Sequence, residues 1–425
     1  MKAVRWGRTE RVSQPSPPRK STPNRVHYAW LIVARTMRSS LPSEPSLWPN
    51  EWRVLLECAS PIPDAGNLAE LIRSVDWPRL LGLAADHGVT GHLAARLLQL
   101  DHDFVPPATR QALVERQRMQ IVVTLRMNAE LFRLLDRFEA ADIGALVVKG
   151  PVLAVQAYGD SAMRSYGDLD LLVRQRDIRR ATELMIAAGY QAAVPLRAID
   201  AGKIPGQYLF SNPDSKLLVE LHNDFTLRYF PHRLPIEEFF ARKIRVRFDA
   251  HGAPALSVED ELVLICIHGA KHFWERLMWI ADVAALVSRQ STIDWERVAE
   301  LTHAVGAECM LHTGLRLAAD LLHAPLPNKI STRVRADLAA ARLVEGIISW
   351  LPAASYQHPG LFERAAFRLR MRGALISAPA YLFRLLLSPT EEDWQEGSED
   401  SHHRFLDVIR RPFRLARKYG RSNKS

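Results

Sequence analysis

One stretch, residues 144–173, constrains the fold more than any other: GALVVKGPVLAVQAYGDSAMRSYGDLDLLV. An apolar run at 145–148 stops at Lys149-Gly150-Pro151, a helix-like segment fills 152–158, and a second β-type run occupies 168–173. Short apolar runs bounded by Gly and Pro read as strands rather than pieces of helix. Pro151 suits the first helical position, where no backbone N–H is needed. The expected unit is therefore strand, tight glycine turn, helix, strand. The free amides of the helix start lie beside Lys149, an arrangement that attracts phosphate.

The second run supplies the opposite charge. In Asp168-Leu169-Asp170-Leu171 the strand period of two puts both carboxylates on one face and both leucines on the other. Carboxylates that close raise each other's pKa unless a cation sits between them, and a hard divalent ion with oxygen ligands resolves the conflict. The competing reading, an Asx-rich turn after Gly167, accounts for Asp168 but not for Asp170. A third carboxylate is expected on a neighbouring strand. The segment 216–222 (KLLVELH) offers Glu220, sharing a face with His222, while Asp224 is the fallback. Taken alone, Glu220 would read as part of a solvated strand face.

A polar stripe runs through 262–286 (LVLICIHGAKHFWERLMWIADVAAL). His268, Lys271, His272, Glu275, Trp279 and Asp282 recur at helical spacing and are expected to share one helix face. Two readings stand. In one, Lys271 meets a triphosphate and Trp279 or Trp274 leans on a base. In the other, the stripe is a buried seam between domains, with Asp282 capturing a histidine. A zinc site at His268 and His272 lacks the intervening Glu and an obvious third ligand.

The formal charge of +9 would suggest a nucleic-acid partner if it were spread over the chain. Instead the ends, 1–48 and 401–425, carry +7 each, which leaves −5 for the body. No specific nucleic-acid partner is expected from such a body. Cys58, Cys266 and Cys309 are far apart and lack metal-ligand spacing, which suits buried thiols in a reducing cytoplasm. No apolar run approaches the ~20 residues of a membrane span.

The chain divides into a basic, disordered extension at 1–47 and a helical region at 48–141. An α+β core at 142–255 follows, then a second helical region at 256–395 and a basic tail at 396–425. A long helix over about 109–141, with Leu113, Gln120, Val123, Leu131, Leu134, Leu135 and Phe138 in register, is expected to lie across the sheet. The core is expected to hold a mixed sheet of about five strands with helices on it. His87 is expected to pack rather than to act.

The ordered set Lys149-Gly150, Arg164, Gly167-Asp168-Leu169-Asp170 and Glu220-Leu221-His222 resembles the uncharacterised nucleotidyltransferase family of the DNA polymerase beta-like nucleotidyltransferase superfamily. His268-x-x-Lys271-His272, Pro389-Thr390-x-x-Asp393-Trp394 and Arg411-Pro412-x-Arg414 also look like this family, so the likeness runs over about 48–420. The chain departs from it in having Lys149-Gly150 where many members carry Gly-Ser or Gly-Gly. The resemblance implies transfer of a nucleoside monophosphate from an NTP to an acceptor hydroxyl, with Mg2+ or Mn2+ as cofactor. Asp168, Asp170 and Glu220 would then be metal-binding and catalytic, Glu220 also standing where it can take the hydroxyl's proton. Lys149, Gly150, Arg164, His222, His268, Lys271 and His272 would bind substrate. The acceptor, a hydroxyl of a small molecule, peptide or protein, is open. The rival expectation is a non-catalytic nucleotide-binding or scaffold protein of a biosynthetic cluster.

Overall fold

The computed structural model describes residues 48–196, 206–224, 233–248 and 251–353, with isolated positions at 199, 367, 368, 370 and 371. The expected disordered extension and the motifs at 389–394 and 410–414 lie outside these residues. Helices come first: α1 (Asn50–Ala59), α2 (Ala65–Leu71), α3 (Trp77–Asp86) and α4 (Thr90–Leu97). Asp76 caps α3, its carboxylate accepting from the Arg79 amide with Pro78 in the first turn. His87 caps α3 and packs on Trp52 with ring centroids 5.0 Å apart, and its Nδ1 accepts from the Leu277 amide.

Helix α5 (Pro107–Ala140) leads to the sheet, burying Met127, Leu131, Leu134 and Phe138 against it. Val123, expected in that buried register, is instead 39% exposed, because α5 reaches the sheet only from Met127 onward. The strands are β1 (Ala145–Val148), β2 (Asp168–Val173), β3 (Gln191–Ala192), β4 (Gln207–Ser211), β5 (Leu218–His222), β6 (Ile244–Phe248) and β7 (His251–Ala255). They form one mixed sheet in the order β3-β4-β5-β2-β1-β7-β6. Between them lie α6 (Gly150–Tyr158), α7 (Ile178–Ala187) and α8 (Ile236–Ala241). Seven strands replace the expected five or so; β7, HGAPA, has no β-forming residue to announce it, and pairing with β1 and β6 makes it a strand.

One sheet face is apolar throughout. Leu169, Leu171, Val173, Val219 and Leu221 pack there against α5 and α7. The period of two then commits Asp168, Asp170, Glu220 and His222 to the opposite face. The later helices are α9 (Val258–Lys271), α10 (Leu277–Arg289), α11 (Trp295–Val305), α12 (Glu308–Leu322), α13 (Asn328–Ala336) and α14 (Leu338–Trp350); α10 packs closely on α6, which touches β1, β2 and β6, and α9 and α10 face the polar side chains across a cleft.

The single helix face expected across 262–286 is corrected by the structure. The segment breaks between α9 and α10, with Phe273 and Trp274 at φ of 59° and 52°. The Trp274 amide turns back to the Gly269 carbonyl at 2.8 Å, and its fully buried indole lies against Gly269 and Gly314. A Cβ on either glycine would come within 2.5 to 2.8 Å of the ring, so the two glycines make room for the tryptophan that reverses the chain. All three cysteines are buried and unbridged. No helix among the described residues is long and apolar enough to cross a membrane.

Candidate active site

Strands β2 and β5 run parallel and in register, Asp170 beside Glu220 and Leu172 beside His222. The Oδ1 of Asp170 lies 2.7 Å from His222 Nε2, which is 3.4 Å from Glu220 Oε2. Lys149 Nζ meets the other Asp170 oxygen at 3.0 Å. The chain of contacts continues outward. Gln207 Nε2 donates to Glu220 Oε2 at 2.7 Å, and Lys271 Nζ donates to Gln207 Oε1 at 2.9 Å. Lys149, Asp170, His222, Glu220, Gln207 and Lys271 are thus one continuous polar chain across the end of the sheet.

Lys149 is held there at a backbone cost. Its φ of 53° and ψ of −138° lie where glycine is normally required, and Gly150 follows at φ +43°. The conformation is held from both sides: the Nζ by Asp170, and the amide by Glu261 Oε1 at 2.9 Å. The Lys149 amide, next to the helix-start amides expected to attract phosphate, is therefore already taken by a carboxylate. Glu261 and Gln207 were not among the expected site residues. Neither carries a sequence signal, one being the last of three acidic residues in the first turn of α9 and the other a lone glutamine opening a strand.

Burial sets the charge states. The Asp168 carboxyl is pushed up to about 6, by desolvation first and by Asp170 second, against the pull of Lys149. Burial would also raise Asp170, but Lys149 and the His222 hydrogen bond outweigh it and hold that carboxyl below its usual range. Glu220 is held low in the same way, its burial outweighed mainly by the His222 hydrogen bond. Glu261 is pushed up to about 7 by burial. His268 and His272 are held neutral by burial and by nearby Lys149 and Lys271, His272 down to about 3.

All of these groups except Glu261 line a cleft of about 490 Å³, within the range of small-molecule sites. Across it from the carboxylates, His268, His272 and Trp279 form a three-ring cluster with centroids 4.6 to 5.6 Å apart. The helix break does not disperse the stripe, because α9 and α10 pack together. Asp282 captures no histidine. Its two oxygens bind Arg164 Nε at 2.9 Å and the Tyr158 hydroxyl at 3.0 Å, in a buried seam tying α6, the loop before β2 and α10 together.

The donor atoms of Asp170, Glu220 and His222 all lie within 4.8 Å of one another. Two carboxylates and an imidazole at that spacing, with a lysine already balancing the charge, fit a divalent cation. The profile of the family described as uncharacterised nucleotidyltransferase matches residues 73–323, from the short turn after α2 to the end of α12. The chain belongs to the uncharacterised nucleotidyltransferase family. The match contains the whole sheet and the cleft, and a general role in nucleotidyl transfer comes with it. No curated protein matches the chain.

Proposed function

We propose that this nucleotidyltransferase moves a nucleoside monophosphate from an NTP to an acceptor hydroxyl in the cleft beside Asp168 and Asp170. The observation that carries this reading is the convergence of Asp170, Glu220 and His222 donor atoms within 4.8 Å, at the end of a cleft that also holds Asp168, Lys149 and Lys271. In the reaction the acceptor oxygen forms a bond to the α-phosphorus as the bridging oxygen to the β-phosphorus leaves with pyrophosphate. The hydroxyl proton passes to a base.

Asp168, Asp170 and Glu220, with His222 beside them, would hold Mg2+ or Mn2+. Such ions neutralise the triphosphate and lower the pKa of the attacking hydroxyl. The protein's part is positioning and charge. Lys149 and Lys271 stand on opposite sides of the carboxylates and meet the polyphosphate. Arg164, fixed by Asp282, adds positive potential without side-chain freedom. Without the ions, burial raises the Asp168 carboxyl to about 6 while the His222 hydrogen bond holds Glu220 low, so a cation that binds at Asp168 displaces a proton near neutral pH. The neutral rings of His268, His272 and Trp279 offer the base a flat, uncharged wall.

The test is pyrophosphate release from each NTP with Mg2+ or Mn2+, in the wild type and in Asp170→Asn. The variant is expected to be at least 100-fold slower while keeping its circular dichroism spectrum. Equal rates in the two proteins would move the chemistry elsewhere. The intact carboxylate set argues against the scaffold alternative, which a wild type that binds an NTP without turning it over would favour.

A further inference from the structure

A second cavity, about 800 Å³, adjoins the cleft, and the two share Ser165, Tyr166, Gly167, Arg276 and Met278. Residues 165–167 lead directly into Asp168, so whatever fills this cavity lies beside a carboxylate of the proposed metal site. One wall is the middle of α5. No residue from 114 to 123 is buried, so ten residues, about 15 Å of helix, cross the space between the helical region and the sheet without being packed. Within that crossing and just past it, Met119, Ile121, Val122, Val123 and Leu125 are 39 to 64% exposed. Large apolar side chains clustered in the open like this mark a binding surface.

This wall is fastened to the loop before the catalytic strand. Gln120 on α5 donates to the Arg164 carbonyl at 3.2 Å and accepts from the Ser165 hydroxyl at 3.3 Å. Anything that shifts the exposed helix is thereby felt at the loop that carries Asp168.

Resting on the nucleotidyltransferase reading, we propose that this groove docks the acceptor and that the acceptor is a polypeptide segment presenting a Ser, Thr or Tyr hydroxyl between apolar side chains. The lining decides the class. Met119, Met163 and Met278, with Ile121 and Val123, give an adaptable apolar wall of the kind that accommodates varied peptide side chains. The charged rim is of mixed sign, Glu115 and Asp160 against Arg116 and Arg276, which gives a phosphate-rich polymer no basic track to follow. Among the described residues, Tyr166 is the one aromatic of the lining, a single stacking plane where single-stranded nucleic acid favours several. The length of free helix matches an extended peptide of four or five residues.

The experiment uses labelled full-length protein on an array of synthetic decapeptides. Each has a central Ser, Thr, Tyr or Ala, flanked by either apolar or charged residues, and no nucleotide is present at first. Apolar-flanked peptides are expected to bind at least tenfold more tightly than charged ones. That preference should vanish in Met119→Glu/Val123→Glu and survive in Leu125→Glu, whose side chain is exposed but lies off the groove. No preference, or one that the groove variant leaves intact, overturns the proposal. With α-labelled NTP and Mn2+ added, hydroxyl peptides are expected to gain label and Ala peptides none. If peptides bind through the groove and none is labelled, the acceptor role is overturned. NTP binding, measured on the same preparation, then tells whether the nucleotidyltransferase reading falls with it.

Discussion

Replacing Asp168 by Asn should make the metal-free protein more stable at neutral pH, although it removes a group central to the proposed chemistry. In the folded state burial and Asp170 raise this carboxyl from 3.8 to about 6. The folded protein therefore binds the proton more tightly than the unfolded chain. The resulting stability is fully present below about pH 4 and is lost as pH rises through 6. A shift of ~2 pH units corresponds to about 3 kcal/mol, and solvent screening of a half-buried side chain reduces it to ~1–2 kcal/mol. Asparagine keeps the shape and never ionises. Urea denaturation with a chelator present should show wild type and Asp168→Asn nearly equal at pH 4. By pH 7.5 the variant should be ahead by ~1–2 kcal/mol. A variant that is equally or less stable at pH 7.5 would refute the electrostatic reasoning, for it would mean that the ionised carboxylate is welcome in the empty site.

Asp282→Ala leaves Arg164 buried and unpaired and should cost about 3–5 kcal/mol in urea denaturation, while Arg164→Met/Asp282→Leu should recover most of the loss; a single-variant cost under about 1 kcal/mol would contradict the seam. Lys149→Ala and Lys149→Gly both remove the cation from Asp170, but only glycine relaxes the backbone at φ 53°, so the glycine variant should be the more stable by about 1 kcal/mol in the same assay. Mn2+ affinity, followed by electron paramagnetic resonance, should fall as pH drops below about 6, where a proton competes for Asp168, and a flat profile from pH 5 to 8 would remove that carboxylate from the site.

The central unit was legible in the sequence because two independent patterns agree there. The strand period assigned Leu169 and Leu171 to the core and both aspartates to the other face, and the same rule at 218–222 brought Glu220 and His222 to the same side. What stayed hidden is tertiary. Nothing local stops the helix after His272; the break comes from an indole that fits only because Gly269 and the distant Gly314 lack side chains. Strand β7 exists because two neighbours pair with it, one of its own residues being Pro254. Gln207 and Glu261 join the site through β4 lying opposite β5 and α9 crossing the start of α6, adjacencies that spacing along the chain does not encode. The unusual Lys149 shows the limit most plainly: the sequence marked it as a departure from relatives, and only the backbone torsions reveal that a glycine position has been filled by a cation aimed at Asp170.

The most direct test of nucleotidyl transfer at this site is titration calorimetry of each NTP with Mn2+ into the wild type and into Asp168→Asn/Asp170→Asn. Metal-dependent binding by the wild type that the double variant loses is the expected result. NTP binding that needs no metal, or that the double variant retains at full affinity, would contradict the assignment of the chemistry to these two carboxylates.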